Sequence, residues 1–315
     1  MEVRDFLVKV KGLPGAIVGE GVAFKTGESG RVMEIERELV EILVFTRTPL
    51  KVGSLVARTG SLLKVTVGSG LLGQTVNALG HLLSGKKKRS KNHSEMLVEA
   101  KPTGIWGRKK ISRFFETGVP LADLLLPLGF GERELVMGDR KTGKTDFILR
   151  AMTLAAKNGL VCVYAGIGKR KAEIKSVEKF LRDRGVLKNC LLIAADSYSS
   201  PAEIFLAPST ALAVAEYFRD QGRDVLVILD DLTTHAKYYR EISLLLGAFP
   251  GRESYPGDIF HLHSKILERA GCFKIKEGEA SITCLPLAES VAGDFTGYIQ
   301  TNLMSMTDGH LYFDS

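Results

Sequence analysis

The sequence predicts an α/β fold with a mostly parallel sheet over residues 68–315, preceded by a small N-terminal β-barrel over residues 1–67. Three observations carry that expectation. From about residue 111, apolar strand-like runs alternate with helical patterns, which gives parallel strands with helices on both faces. Before residue 67, short and mostly apolar stretches are cut by glycine-rich turns. Within the second half, residues 134–150 read as one continuous strand–loop–helix unit.

In the first part, the stretches 39–45 and 62–67 are the clearest apolar runs, and glycines at 12, 15, 27, 30, 53 and 60 punctuate them. Close spacing of short strands favours a barrel. The segment 68–73, G-S-G-L-L-G, reads as a boundary loop, and 74–80 as a short strand or turn. Residues 81–94 are largely polar and basic, and are expected to be mobile.

In the second part, residues 115–119 and 121–126 lead into the central unit. Strands are expected at 159–167, 191–195 and 225–229, each dense in apolar or β-branched residues. Charged residues 169–184 read as a helix. Ser199, Ser200 and Pro201 give a helix start, so 202–219 is the next helix. Ile259, Leu262 and Ile266 share one helical face after the proline- and glycine-rich loop 250–258.

Leu135, Val136 and Met137 form the apolar strand of the central unit, and residues 146–154 continue as a helix. The loop between them, Gly138, Asp139, Arg140, Lys141, Thr142, Gly143, Lys144 and Thr145, matches G-x-x-x-x-G-K-[ST]. Gly138 and Gly143 let the backbone curl so that N–H groups converge on phosphate oxygens. The helix N-terminus adds partial positive charge. Lys144 is expected on the β and γ phosphates, and the Thr145 hydroxyl on Mg²⁺.

The run 224–231, D-V-L-V-I-L-D-D, supplies a second half. A carboxylate ending a neighbouring strand holds Mg²⁺ through water opposite the loop threonine, and Asp230 is assigned that role. The bland reading is that Asp230 and Asp231 only cap a helix starting near Thr233. Together with the phosphate loop, the strand supports a nucleoside triphosphate site using ATP or ADP with Mg²⁺.

Composition narrows the alternatives. Hydrophobic content of 45% and charged content of 25% in 315 residues are ordinary for a globular protein with about two domains. No apolar run reaches the roughly 20 residues that span a bilayer, and the N-terminus has no secretory pattern. Much of the net charge of +7 sits in Lys86, Lys87, Lys88, Arg89 and Lys91. Without interleaved aromatics this run reads as a solvated loop, so no nucleic-acid partner is expected. Cys162, Cys190, Cys272 and Cys284 form no C-x-x-C pair and read as reduced, buried thiols. His261 and His263 lack metal spacing.

Residues 138–145 resemble the phosphate loop of the alpha subunit of F-type ATP synthase, where glutamine is usual in place of Lys141. The loop 250–258 and the segments L-H-S-K-I-L-E-R (262–269), Y-R-E-I-S-L-L-L (239–246), A-G-D (292–294) and T-D-G (307–309) are similar to it as well. The resemblance covers the whole chain. It implies a RecA-like nucleotide-binding domain after the barrel, and an alternating hetero-hexameric ring with beta subunits around a central rotor subunit. It further implies a peripheral place at the cytoplasmic face of the cell membrane, coupling to proton or sodium transport, and alpha sites that bind Mg-ATP without turning it over.

Two departures qualify the resemblance. The position at which catalytic beta subunits carry a water-polarising glutamate, and alpha subunits a glutamine, falls at Lys169. Lysine cannot act as that carboxylate, so hydrolysis at this chain's own site is not expected and no catalytic residue is assigned. Glu173, one turn on, is a weak substitute. The chain also stops at Ser315, so the family's C-terminal helical domain and arginine-bearing segment are expected to be absent. The competing readings are a stand-alone phosphate-loop NTPase or nucleic-acid motor, and a degenerate alpha-subunit fragment.

Overall fold

The computed structural model describes residues 2–48, 50–83 and 93–314. The basic run 86–91, with most of the stretch expected to be mobile, lies outside them.

Strands β1 (Glu2–Arg4), β2 (Leu7–Lys11), β3 (Glu20–Phe24), β4 (Ser29–Ile35), β5 (Leu39–Val44) and β6 (Val56–Leu62) form one six-stranded sheet in the order β1-β2-β5-β4-β3-β6. Every pair in it is antiparallel. Val8, Val10, Val22, Phe24, Val32, Val40, Ile42 and Val44 collect in a single cluster, so the sheet curls around its own inner face. On β5 the alternation is clear. Val40, Ile42 and Val44 face that cluster, while Leu43, opposite Leu7, joins the larger core of the second half. A strand buried on both faces explains a run that is apolar except at Glu41, which is itself buried and paired with Lys9.

The apolar stretch 62–67 is divided at Leu63. After it, β7 (Lys64–Val67) pairs with β9 (Ser94–Leu97) rather than with the N-terminal sheet, and Val65 and Val67 enter the large core. Between them, β8 (Thr75–Val76) adds to the edge of the main sheet, so the segment 74–80 does contain a short strand.

Next, β10 (Phe114–Phe115) pairs with β11 (Leu128–Gly129) across the short helix α1 (Pro120–Leu125). The main sheet contains β12 (Glu134–Gly138), β13 (Val161–Lys169), β14 (Cys190–Asp196), β15 (Val225–Asp230), β16 (Gly271–Ile275), β17 (Gly278–Glu289) and β18 (Gly309–Phe313). Its order is β18-β12-β17-β15-β13-β14-β8, parallel throughout, with β16 antiparallel against β17. The expected α/β architecture with a mostly parallel sheet is therefore present.

Helices α2 (Lys144–Lys157), α3 (Lys171–Asp183), α4 (Pro201–Asp220), α5 (Leu232–Leu245), α6 (Ile259–Leu267) and α7 (Tyr298–Met306) cover the sheet. On β13, Cys162 and Tyr164 face α2 and α3, while Val161, Val163, Ala165 and Ile167 face α4 and its neighbours. β15 divides the same way. Period-two strands clothed on both faces are apolar at every position, which is why the sequence reads them as continuous runs.

The helix starts follow side-chain chemistry. Ser200 accepts from the Glu203 N–H at 3.2 Å, Glu203 reaches back to the Ser200 N–H, and Pro201 occupies the first turn of α4. Asp231 caps α5 through the Thr234 N–H at 2.6 Å. All four cysteines are buried free thiols. Among the described residues, no helix is long and apolar enough to cross a membrane.

Candidate nucleotide site

Four adjacent parallel strands, β12, β17, β15 and β13, end on the same edge of the sheet at Gly138, Glu289, Asp230 and Lys169. Ligands of open α/β sheets bind in the crevice at these carboxyl ends.

Gly138 closes β12 at φ 150°, and a β-carbon there would lie 2.2 Å from the Phe313 carbonyl oxygen on β18. Only glycine fits so close to the neighbouring strand. Gly143, at φ 99°, is the left-handed residue from which α2 begins. No side chain caps α2, so the N–H groups of its first turn stay open on the loop side. Lys141 is also left-handed, at φ 68°.

Side chains tie the loop down. The Asp139 carboxylate accepts from the Ser290 hydroxyl and, at 3.0 Å, from the Gly293 N–H; the serine contact holds its pKa below the ordinary aspartate value. Arg140 pairs with Glu289 at 3.2 Å. The Thr142 hydroxyl donates to the Asp139 carbonyl at 2.9 Å. Lys144 folds back over the loop, donating to the Gly138 carbonyl at 2.7 Å and to that of Asp139. Burial lowers its pKa, with Glu289 and Asp230 opposing and Lys169 reinforcing that shift. Thr145 stands exposed, and its hydroxyl has no partner among the described residues.

Asp230 is nearly fully buried, with one oxygen in an ion pair and the other hydrogen-bonded. Oδ1 lies 2.6 Å from the Lys169 ammonium, and Oδ2 accepts from the Tyr164 hydroxyl at 2.8 Å. Lys169 also pairs with Asp231 at 3.3 Å. Burial opposes the lysine charge, but Asp230 and Asp231 outweigh it and raise the Lys169 pKa. Burial, followed by the Asp230 charge, raises the Tyr164 pKa, so the phenol remains a donor. Gly168, at φ 66°, forms the irregularity that breaks register between Ile167 and Lys169. Such a bulge re-aims the side chain that follows it.

Several expectations shift accordingly. The two aspartates do not act as a capping pair: Asp231 caps α5, whereas Asp230 faces Tyr164 and Lys169. Asp230, expected to reach Mg²⁺ through water, lies beside the Lys169 ammonium and accepts from the Tyr164 hydroxyl. Lys169 belongs to the end of β13 rather than to the helix expected at 169–184. Glu173 sits at the start of α3, accepting from the Arg170 N–H at 2.9 Å and pairing with its guanidinium at 2.8 Å. Tyr164, Glu289 and Ser290 went unassigned. Tyr164 had a signal, because a tyrosine inside a buried strand needs a partner for its hydroxyl.

Residues 118–315 match the ATP synthase alpha/beta family, nucleotide-binding domain. The chain belongs to this family. It is similar to the ATP synthase subunit alpha of Helicobacter pylori (strain Shi470), with 40% identity over 312 residues covering 99% of this chain and 62% of the relative. The ATP synthase subunit alpha of Sulfurovum sp. (strain NBC37-1) gives 40% over 314 residues with the same coverage, and that of Helicobacter acinonychis (strain Sheeba) 39% over 312 residues. The chain thus spans about 62% of the length of these curated relatives. The matching model is that of the family's nucleotide-binding domain.

Proposed function

We propose that this chain is a nucleotide-binding, non-catalytic alpha-type component of the soluble sector of a proton- or sodium-translocating F-type ATP synthase. ATP or ADP would sit on residues 138–145, with the open N–H groups of α2 and the Lys144 ammonium on the phosphates. The phosphate loop, held open by Gly138 and Gly143 at the mouth of the crevice, is the observation that carries this reading.

Absence of turnover is argued from Lys169 and Glu173. An ammonium cannot accept a proton from, or orient, the attacking water as a carboxylate does. Glu173 is engaged by Arg170. Mg²⁺ is the usual companion of a nucleotide in such a loop. Thr145 offers an uncommitted hydroxyl for it, but the Asp230 carboxylate is paired with Lys169, so the donor set does not fit a divalent ion held through Asp230.

An alternating ring with beta subunits around a rotor, at the cytoplasmic face of the cell membrane, follows from the family. Large apolar side chains on the surface support packing against other chains: Phe249 is 95% exposed, Trp106 89% and Leu124 81%. The chain divides into an N-terminal β-barrel unit over residues 1–67 and a nucleotide-binding unit over 68–315, with β7 of the first packing into the core of the second.

Calorimetric titration of the chain with ATP tests the site. Micromolar or tighter binding, weakened at least about tenfold by Lys144→Ala, is the expected result. Equal affinity in both proteins would remove the phosphate loop from the binding site.

A further inference from the structure

Lys169 is the cation at the strand ends that sits on the two buried aspartates rather than on the loop. It bridges Asp230 at 2.6 Å and Asp231 at 3.3 Å, while Lys144 holds the carbonyls of Gly138 and Asp139. Asp230 and Asp231 are 3% and 2% exposed, so their charges are poorly screened. Unpaired, they would repel the phosphates of an incoming nucleotide, and a divalent cation is the common way to neutralise that repulsion.

We infer that Lys169 takes over this role as a built-in counter-cation, so that the site binds nucleoside di- or triphosphates with little dependence on Mg²⁺. The inference rests on the phosphate-loop reading given above. An ammonium carries three donors. It forms ion pairs with Asp230 and Asp231 and keeps the capacity to donate to a phosphate oxygen as well. The Lys169 side chain is 21% exposed, so it reaches the crevice rather than being sealed below it. Tyr164 fixes the other Asp230 oxygen at 2.8 Å, so the carboxylate cannot swing away to bind a hydrated metal without giving up two partners. Metal and ammonium compete for one carboxylate, and the ammonium is covalently present at every metal concentration.

The test compares ATP affinity of the full chain in excess MgCl₂ and in EDTA, for wild type, Lys169→Gln and Lys169→Arg. Circular dichroism establishes that each variant is folded. In wild type and Lys169→Arg, the two conditions are expected to agree within about threefold, whereas Lys169→Gln loses about tenfold or more in EDTA. Wild-type affinity that collapses in EDTA would overturn the inference while leaving the phosphate-loop site standing. It would do so even if Lys169→Gln proved unfolded. Failure of wild type to bind ATP under both conditions would overturn the phosphate-loop reading itself, and this inference with it.

Discussion

The Lys169 ammonium lies 2.6 Å from Oδ1 of Asp230, at the ends of two adjacent parallel strands. The pair sits where the phosphate-facing crevice meets the core, and Tyr164 closes it from below. Its chemistry is half structural and half functional. Removing the lysine leaves two buried carboxylates without a counter-charge, and losses of about 3–5 kcal/mol accompany such a break. Removing only the Tyr164 hydroxyl deletes one hydrogen bond to a charged group, for about 1.5–3 kcal/mol. Denaturant melts should therefore rank Lys169→Met below Tyr164→Phe, and both below wild type. The reverse order would mean that the tyrosine, not the ion pair, holds Asp230.

Among the described residues, Arg269 and Glu216 form the most buried ion pair outside the site. Arg269 is 2% exposed; it donates to Glu216 at 2.9 and 2.7 Å and to the carbonyls of Val98 and Ser209. Arg269→Ala should cost about 3–5 kcal/mol, because Glu216 is left buried and unpaired. Arg182→Ala, which removes an exposed pair with Glu178 within α3, should cost less than about 1 kcal/mol. Urea unfolding of the two variants side by side checks the contrast.

Stability should depend on pH through groups of opposite sign. His235 and His263 are buried together, 3.1 Å apart, and burial pushes His235 from 6.5 down to about 4 and His263 well down. Both are neutral in the fold, so their contribution is whole above pH 6.5 and is lost as pH falls, since the unfolded chain takes up the protons. Glu134 runs the other way. Burial, with Glu132 and Asp308 nearby, pushes it from 4.5 up to about 7. Its folded form keeps a proton that the unfolded chain has released, so its contribution is present below pH 4.5 and is lost as pH rises to 7. Glu134→Gln should steepen the loss of stability between pH 6.5 and 4.5 by on the order of 2 kcal/mol. Melting temperatures across that range read the difference.

Gly138 offers a test of the loop geometry alone. At φ 150°, with the Phe313 carbonyl 2.2 Å from the place of a β-carbon, alanine must displace either the loop or β18. Gly138→Ala should cost about 1–3 kcal/mol and abolish ATP binding, measured by thermal melts and calorimetry.

Much of this arrangement was legible because it is local. The phosphate loop is contiguous, and its glycines, lysine and threonine announce themselves by spacing. β13, β14 and β15 are apolar runs bounded by turn residues, and Ser200, Pro201 and Glu203 write the start of α4. What was not legible depends on strands far apart in sequence becoming neighbours. The meeting of Lys169 with Asp230 requires β13 beside β15 and a bulge at Gly168, neither of which a linear pattern specifies. Asp139 reaches Ser290 and Gly293 only because β12 lies against β17. β7 left the N-terminal sheet because Val65 and Val67 have a larger core to enter, and an apolar run does not say which core it joins. Glu173 was ambiguous for the opposite reason, since a glutamate three residues into a helix is as good a cap as a catalyst.

The central claim is a site that holds nucleotide without consuming it. Incubating the full chain with ATP labelled at the γ-phosphate, removing free ligand rapidly and identifying what remains bound tests that claim most directly. The account predicts close to one nucleotide per chain, recovered with its γ-phosphate intact after prolonged incubation. Recovery of nucleoside diphosphate with released labelled phosphate, or of no nucleotide at all, would contradict it.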